Sequence, residues 1–549
     1  MPVRAYRPVA LISLLWLGAS AVLSSCGGGD DGGTGGGGTG GGGTGGGSTF
    51  TPIAYNAGVF QPAASFAAQC QAPRTGTNPA TSQPYADRQG TTNSENHWLR
   101  SWTNDTYLWF DEVPDRDPAL TSTTVAYFDL LKTSATLASG QAKDRFHYTL
   151  GTTEWRQLSQ SGVEVGYGAQ WAVLSSRPPR KVMVALTQPS SPATAPAAQL
   201  ARGAEVLTVD GIDVVSNNTT AGIDTINAGL FPSAGGQTHT FTIRDRGAST
   251  TRVVSLQTTT VTSTPVQRVA VLQTVTGKVG YMLFNDHIAT AEQQLITAIT
   301  TLRNAGVQDL VLDLRYNGGG YLDIASELAY MIAGPGATAG RVFERLQFNS
   351  KHPSTDPVTG EPLVPVPFYT TSQGFTVASG QALPTLNLSR VFVLTSDDTC
   401  SASESIINGL KGAGVEVRQF GANTCGKPYG FHPQDNCGTT YFSIQFKGVN
   451  NSGFGDYPEG FSATRVTAPA AANLPGCGTA DDFTHDLGDV AEGQLAAALA
   501  SQAGQSCPAP LPAAALTGKQ AAATSSRGED GQALSVPSTP WRQNRLLRD

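Results

Sequence analysis

The chain has 549 residues, enough for several domains and more than one hydrophobic core. It carries 35 Lys and Arg against 42 Asp and Glu, a net charge of −7, and only 14% of its residues are charged. This balance argues against nucleic-acid binding, because phosphates are neutralised by an excess of basic residues. Beyond the N-terminal segment there is no apolar run of about 20 residues, which argues against a polytopic membrane protein.

The first 26 residues have the layout of an export signal. Arg4 and Arg7 give a positive start, residues 9–22 form an apolar stretch too short for a comfortable membrane span, and the letters LSSC end it at Cys26. These closing letters resemble the bacterial lipobox, in which the cysteine becomes the lipidated first residue. The resemblance implies a signal peptide over residues 1–25 and lipidation of Cys26. An ordinary signal peptide or a short membrane span is the alternative.

A glycine-rich stretch over residues 26–48 follows, and its composition predicts a flexible tether. A flexible tether at this position indicates that an anchor precedes it. The residue next to the cysteine is Gly27. An Asp at this position would resemble an inner-membrane retention signal. We therefore expect an exported lipoprotein that is anchored to a membrane and faces the periplasm or the cell surface. The outer membrane is the favoured location.

Six cysteines remain after Cys26, an even number that favours disulfides in an exported chain, although six cysteines allow fifteen pairings. They lie at positions 70, 400, 425, 437, 477 and 507. The seven histidines are scattered without ligand-like spacing, and no CxxC or HExxH motif occurs. We interpret these histidines as ordinary surface or core residues and expect no metal and no cofactor.

The segment from residue 85 to 150 has helical periodicity. Trp98 and Trp102 are spaced for one helix, and residues 123–133 predict a second amphipathic helix. The aromatic side chains are expected to form core rather than a cofactor site. Before this segment, the chain from the tether to about residue 85 lacks periodicity and is expected to be irregular.

Short apolar strands dominate residues 158–262. Gly166-Tyr167-Gly168-Ala169 precedes a strand, an Ala-rich helix is predicted over residues 193–201, and an Asp-Gly turn follows at position 210. This order resembles a PDZ domain. The resemblance implies a loop at Gly166, Tyr167, Gly168 and Ala169 that binds a C-terminal carboxylate while the peptide adds a strand to the sheet.

Strands and helices alternate from residue 265 to 505, which predicts an α/β domain with largely parallel pairing. In one unit, the strand at 310–314 is followed by a helix from Leu322, and Gly306 ends the helix before that strand. In the next unit, a strand over 391–395 leads to a helix from Ser403. The predicted fold class is therefore multidomain, α+β with α/β. Residues 508–549 are rich in Ala, Pro, Ser and Gln and are predicted to be disordered.

Two residues of chemical interest follow strand ends. Ser401 opens a helix, where unsatisfied N–H groups favour negative charge. Lys427 lies twenty-six residues later in a charge-poor stretch, where desolvation would favour the neutral amine that can act as a general base. A serine and a neutral lysine can together perform nucleophilic acyl transfer. Each signal alone is weak, since a serine at a helix start is usually only a cap.

Three motifs in order resemble the C-terminal processing (tail-specific) serine peptidases of family S41. They are DLRYNGGG ending at Gly320, TCSASE around Ser401, and the Gly-Lys pair at Lys427. With the preceding segments, the resemblance covers about residues 85–505. It implies a helical N-terminal domain, a PDZ-like β domain, and a peptidase core of the crotonase-like type.

The resemblance also implies residue roles. Ser401 would be the nucleophile and Lys427 the base, and the backbone N–H of Ala402, together with that of Gly318 or Gly319, would form the oxyanion hole. Two further residues belong to the nucleophile segment. Glu404 could orient the lysine or simply be an acid in the first turn of a helix. Ser403 matches a second, non-catalytic serine.

The implied function is that of a serine endopeptidase using a Ser/Lys dyad. Its substrates would be exported or misfolded polypeptides recognised through their C-termini. Family members differ in a third catalytic residue, and the glutamine found in some members four residues after the lysine is Phe431 here. The alternative function is a catalytically inactive lipoprotein that binds peptides or other ligands on a peptidase fold. The sequence leaves the oligomeric state open.

The cysteines near the dyad allow two pairings. If Ser401 and Lys427 approach each other, Cys400 and Cys425 enter the same neighbourhood and a bridge between them would brace the site. Alternatively, Cys425 pairs with Cys437 across a hairpin. The sequence alone allows both pairings.

Overall fold

The structure is a computed structural model that describes residues 53–79, 81–463, 472–507, 533–534 and the backbone of 545–546. The predicted signal peptide, Cys26 and the tether at 26–48 lie outside the described residues, as does most of the predicted tail at 508–549. Among the described residues, we find no helix that is both long and apolar enough to cross a membrane.

A six-stranded sheet forms the centre of the C-terminal half. Its first two strands pair antiparallel and all its other neighbours pair parallel, as the alternation of strands and helices predicts. In spatial order the strands are Val266–Thr274, Gly277–Phe284, Asp309–Asp313, Arg390–Thr395, Glu416–Gly421 and Gly476–Cys477. The associated helices are Ala291–Ala305, Leu322–Thr338, Ala402–Gly412 and Gly493–Gln502.

Alternate residues of each strand point to opposite sides of this sheet, and both sides are covered by other elements, so both faces are buried. One face, with Leu310 and Leu312, packs against the helices that begin at Ala291, Leu322 and Ala402. The other face packs against Leu495 of the last helix. Gly306 adopts a left-handed conformation with φ of 69° and ends its helix as predicted.

An antiparallel sheet forms a second unit within residues 163–262. Its spatial order is Arg252–Gln257, Thr238–Arg244, Glu205–Val209, Lys181–Thr187 and Ala169–Ser175, with Ile212–Asp213 beside the third strand. Ala169–Ser175 is thus an edge strand. The helix of this unit is Thr220–Leu230, and Val163–Gly166 pairs separately with Thr259–Thr262.

The Ala-rich helix predicted over residues 193–201 is wrong. Only a single 3-10 turn forms there, at Pro192–Thr194. Pro196 restricts the preceding residue to extended conformations, and Gln199 adopts a positive φ of 44°, so the alanine content does not yield a helix. The helix of this unit lies instead at Thr220–Leu230, capped by the Thr219 side chain.

The N-terminal part contains one long helix, Thr92–Thr106, while the second predicted helix is shorter than expected and spans Thr124–Phe128. Residues before 85 are not wholly irregular, since Gln69–Cys70 pairs with Arg88–Gln89 and Thr77–Asn78 with Gln83–Pro84. The cluster around Trp98 and Trp102 also contains Tyr441 from the C-terminal half. The aromatic residues are therefore core, as predicted.

Smaller elements complete the described part. Short helical turns occur at Ala63–Ser65, Phe110–Glu112, Pro118–Leu120, Thr152–Arg156 and Gln157–Ser161. The remaining strands are Tyr148–Gly151, Gly320–Tyr321, Val342–Gln347, Val366–Pro367, Tyr429–Gly430, Gln434–Asn436, Thr439–Phe442, Phe446–Val449, Phe461–Ala463, Ala472–Leu474 and Arg545–Leu546. The architecture is mixed α/β, whereas the domain boundaries and the PDZ-like and crotonase-like assignments stay predictions.

Buried charges join the two sheets. Arg315, fully buried after the strand Asp309–Asp313, donates to Asp313, Asp481 and Glu492. Arg202 of the antiparallel unit donates to the same Asp481 at 2.5 Å and to the Tyr316 hydroxyl at 2.6 Å. Burial raises the pKa of Asp481, but Arg315 and Arg202 outweigh it and bring that pKa below its usual value. Removing either partner would leave buried charge uncompensated.

A pair of buried glutamates holds the loop after residue 370. Glu292 accepts four backbone N–H groups from residues 373–377, and Glu327 accepts the N–H of Gln373 at 2.8 Å. Burial, with the neighbouring Glu292 adding to it, raises the pKa of Glu327 to about 9. Because Phe375 of this loop contacts Tyr321, the pair supports the strand beside the candidate site.

We expect Glu327→Gln to make the protein more stable at alkaline pH. In the unfolded chain this carboxyl ionises near its ordinary pKa, whereas in the native protein it stays protonated up to about pH 9. The contribution of this group to the free energy of unfolding is therefore fully present below about pH 4.5. It falls by about 1.4 kcal/mol per pH unit as the pH rises toward 9. The amide removes this slope. Denaturant unfolding at pH 5 and pH 8 measures the change in the free energy of unfolding between the two pH values. An equal change in wild type and variant would contradict the raised pKa of Glu327.

Candidate active site

Ser401 lies between the strand Arg390–Thr395 and the helix Ala402–Gly412. Its backbone has φ of 58° and ψ of −112°, a conformation that a non-glycine residue adopts only when its surroundings impose it. The residue is fully buried. The start of the helix directs N–H groups and positive potential to this position, which favours an anion that develops there.

The loop after the strand Asp309–Asp313 is tied to the Ser401 segment. The carbonyl of Asn317 accepts the N–H of Cys400 at 3.1 Å and the hydroxyl of Ser403 at 2.9 Å. Ser403 is therefore engaged in holding the Asn317 loop. This contact fits the non-catalytic role that the sequence implies for Ser403.

His287, interpreted from the sequence as an ordinary residue, orients the Asn317 side chain. The Asn317 amide nitrogen donates to the Phe284 carbonyl at 3.0 Å, so its oxygen must be the acceptor. That oxygen accepts the Gly319 N–H at 3.0 Å and the Nδ1 proton of His287 at 2.9 Å. Burial lowers the pKa of His287 to about 3, so the ring is neutral at ordinary pH.

These contacts separate the three oxyanion candidates. The Gly319 N–H already donates to Asn317, whereas the N–H groups of Gly318 and Ala402 have no acceptor within the described part of the chain. Ala402 is the first residue of its helix, where such orphan donors are expected. Gly318 and Ala402 are therefore the two candidates whose N–H groups could donate to an incoming oxyanion.

Lys427 follows the strand Glu416–Gly421 and is fully buried. Its Nζ lies 4.8 Å from the ring centre of Phe146 and 4.7 Å from that of Phe431. Gly426 before it has φ of 83°, and a Cβ there would lie 2.3 Å from the Pro458 carbonyl oxygen. Only glycine fits this turn, which explains the Gly-Lys pair.

Glu404 connects the Ser401 and Lys427 segments. One carboxylate oxygen accepts the Thr424 hydroxyl at 2.5 Å and the Gly426 N–H at 2.9 Å. The other accepts the N–H of Ser401 at 2.9 Å and that of Lys427 at 2.8 Å. Burial raises the pKa of Glu404, and the four donated hydrogen bonds oppose this by stabilising the carboxylate. Glu404 therefore serves both as a first-turn acid and as an anchor of the lysine backbone.

A disulfide joins Cys400 to Cys425, with Cα atoms 5.1 Å apart. The bracing prediction is confirmed and the Cys425–Cys437 alternative is wrong, since Cys437 pairs with Cys70 and the last bridge joins Cys477 to Cys507. Donor atoms of Cys400, Glu404 and Cys425 lie within 4.8 Å of one another. Two are disulfide sulfurs and the third is a carboxylate engaged by N–H groups, so this set does not suit a metal.

Arg145 is a second residue that sequence reasoning missed. Its guanidinium donates to the carbonyl oxygens of Cys425 at 2.5 Å and Pro458 at 3.3 Å. Burial lowers the pKa of Arg145, and the negative charge of Glu404 opposes part of this shift. Nothing in the sequence marks this arginine, because its partners lie 280 and 313 residues away and are backbone atoms.

The predicted peptide loop lies in the antiparallel unit. Gly166 ends one strand and Ala169 begins the edge strand, while Gly168 has φ of 72°. The Tyr167 hydroxyl donates to the Gly229 carbonyl at 3.0 Å, which fixes the loop against the helix Thr220–Leu230. The structure therefore places this loop at an edge strand beside a helix. Its carboxylate-binding role stays a prediction.

Comparison with known proteins identifies the domain that holds this site. Residues 278–434, which include Ser401 and Lys427, match the model of Peptidase family S41. The chain therefore contains a Peptidase S41 family domain, and the resemblance drawn from the three motifs is confirmed.

Two relatives extend this finding. A carboxyl-terminal-processing protease of Picosynechococcus sp. is 30% identical over 231 residues, which cover 40% of this chain and 51% of that protein. The chain thus matches about half the length of this curated relative. A crystal structure of a protein assigned to the S41 proteases, from Bacteroides fragilis NCTC 9343, has 22% identity and a TM-score of 0.54 over 74% of this chain and 97% of that one. At this identity the likeness shows a shared fold.

We expect Glu404→Gln to lower the free energy of unfolding substantially. Glutamine offers one acceptor oxygen, so its NH₂ group would face two of the four donors, and each buried polar group left unsatisfied costs about 1–3 kcal/mol. The matched control is Glu416→Gln at an exposed glutamate, which should change stability by less than about 0.5 kcal/mol. Equal denaturation midpoints for both variants would contradict the anchoring role.

Proposed function

We propose that this S41 domain is the catalytic part of an exported serine endopeptidase that uses Ser401 as nucleophile and Lys427 as general base. The observation that carries the proposal is the joint anchoring of the two segments. Glu404 accepts backbone N–H groups from both residues, and the disulfide of their neighbours Cys400 and Cys425 links the same segments.

In the first half of the reaction, the neutral amine of Lys427 accepts the Ser401 hydroxyl proton as Oγ attacks the carbonyl carbon of a peptide bond. The negative charge moves to the carbonyl oxygen, where the N–H groups of Gly318 and Ala402 stabilise it. The lysine, now an ammonium, faces the rings of Phe146 and Phe431, which favour a positive charge. It returns the proton to the amide nitrogen as the C–N bond breaks, so the amine leaves and an ester remains on Ser401.

In the second half, Lys427 takes a proton from water, whose oxygen attacks the ester carbon. The same two N–H groups stabilise the second tetrahedral state. Collapse returns the proton to Ser401 Oγ and releases the new carboxylic acid. Ser403 stays outside this cycle because its hydroxyl holds the Asn317 loop.

The substrate class follows from the antiparallel unit. We propose that it acts as a PDZ-like domain, with the loop Gly166 to Ala169 capturing the C-terminus of an unfolded polypeptide and the edge strand Ala169–Ser175 pairing with its backbone. Lipidation of Cys26 would hold the enzyme at a membrane, with the outer membrane preferred. These steps rest on the sequence resemblance and on the position of the loop beside the edge strand Ala169–Ser175.

The second candidate is an inactive, peptide-binding lipoprotein on the same fold. Both dyad residues are present and their segments are anchored together, which favours the active enzyme. The two functions differ in a single observable property, Ser401-dependent cleavage.

We expect purified wild-type protein to cleave an unfolded polypeptide ending in apolar residues. Ser401→Ala and Lys427→Met should each lower kcat on the order of 10³-fold or more, because each removes one half of the nucleophilic machinery. Ser403→Ala is the matched control and should lose less than about tenfold. Activity should survive EDTA. Cleavage that persists in Ser401→Ala, or that EDTA abolishes, would contradict the proposal.

A further inference from the structure

Leu534, which lies beyond the Cys477–Cys507 disulfide, returns to the antiparallel unit. Its side chain is buried, with 4% exposed, within the hydrophobic core of that unit. Its N–H donates to the Ser176 carbonyl at 2.9 Å. Ser176 directly follows the edge strand Ala169–Ser175, so Leu534 binds at the end of the edge proposed to receive substrate.

Arg545–Leu546 returns to the catalytic domain. Its backbone pairs parallel with Gly320–Tyr321, with Arg545 opposite Gly320 and Leu546 opposite Tyr321. It also lies beside the strand Tyr429–Gly430. The sequence predicts disorder for this region, and the two paired residues are an exception to that prediction.

The paired edge adjoins both halves of the catalytic machinery. Gly320 is two residues after Gly318, the proposed oxyanion donor, and Tyr429 is two residues after Lys427. Gly320 has φ of 140°, and a Cβ there would lie 2.5 Å from the His287 carbonyl oxygen. The edge therefore has a fixed backbone position relative to Ser401, which has no exposed surface in this arrangement.

A short strand edge of this kind binds extended polypeptides through main-chain hydrogen bonds, whatever their side chains. From these contacts we infer that the backbone edge Gly320–Tyr321 is a binding site for an extended polypeptide, and that Arg545–Leu546 occupies this site in cis as an internal competitor. The inference rests on the proposed peptidase function, since it names how that site is filled and regulated.

Leu534 makes this competition effective. From Leu534 to Arg545 the chain is eleven residues long, a reach of at most about 40 Å, so an anchored Leu534 keeps Arg545 close to the edge. A short tether of this kind gives an effective concentration of about millimolar order. An incoming polypeptide meets the internal segment at both edges, and its apparent affinity equals its intrinsic affinity multiplied by the fraction of molecules in which the edge is free.

The experiment uses the full chain with Ser401→Ala, so that binding is measured without cleavage. Leu534→Arg places a charge in the core position and should release the anchor, while Ala533→Arg adds the same charge at the exposed neighbouring residue. Leu546→Pro removes a backbone donor of the paired strand without touching the antiparallel unit. The probe is an unstructured, fluorescein-labelled peptide ending in apolar residues, and the readout is fluorescence anisotropy.

We expect Leu534→Arg and Leu546→Pro to bind the probe at least about fivefold more tightly than the parent, with Ala533→Arg unchanged. Hydrogen exchange of residues 320–321 should become faster in both releasing variants. Should Leu534→Arg disturb the antiparallel unit, Leu546→Pro still decides the matter. Unchanged or weaker binding in Leu546→Pro would overturn the inference.

The same proteins with Ser401 restored separate this inference from the proposed function. Ser401-dependent cleavage with a KM that is equal in the parent and the releasing variants would overturn the internal competitor and leave the peptidase intact. Tighter probe binding in the releasing variants without Ser401-dependent cleavage would support the occupied edge and contradict the peptidase.

Discussion

The geometry of the candidate active site depends on one buried carboxylate. Glu404 collects four donors from two segments that are distant in sequence, and those donors include the backbone N–H groups of Ser401 and Lys427. Hydrogen bonds to a charged acceptor contribute about 1.5–3 kcal/mol each. The positive φ of Ser401 costs roughly 1–3 kcal/mol, a strain that persists only where surrounding contacts over-determine the backbone. Glu404 and the Cys400–Cys425 disulfide supply those contacts.

The Asn317 side of the candidate site is held by groups outside the proposed dyad of Ser401 and Lys427. The Asn317 loop is held by neutral His287 on its side chain and by Ser403 on its carbonyl, so the Gly318 N–H keeps its position. Two residues before Asn317 in the same motif, Arg315 joins a buried charge network that reaches Arg202 in the antiparallel unit. The Asn317 loop and the proposed recognition unit are thereby connected through paired charges in a region of low dielectric, where broken pairs are costly.

The sequence predicts those features that local patterns encode. The parallel strand and helix units, the helix stop at Gly306 and the start of the helix after Ser401 all follow from periodicity and capping. Predictions from hydrophobic periodicity and composition failed where a restricted backbone residue or a distant contact decides the structure. The alanine-rich stretch around Pro196 did not become a helix, because proline restricts the backbone before it. The helix of this unit is formed by residues 220–230 instead. The role of His287 depends on the Asn317 side chain thirty residues away, which no spacing rule indicates.

The central claim is that Ser401 is an activated nucleophile and that Lys427 activates it. Peptide mapping by mass spectrometry after treatment with a serine-directed fluorophosphonate tests this most directly, because the reagent forms a covalent adduct only with an activated hydroxyl. The account predicts an adduct on Ser401 in wild-type protein and its loss in Lys427→Met, with Ser403 unmodified in both. An adduct on Ser403, or equal labelling of Ser401 with and without Lys427, would contradict it.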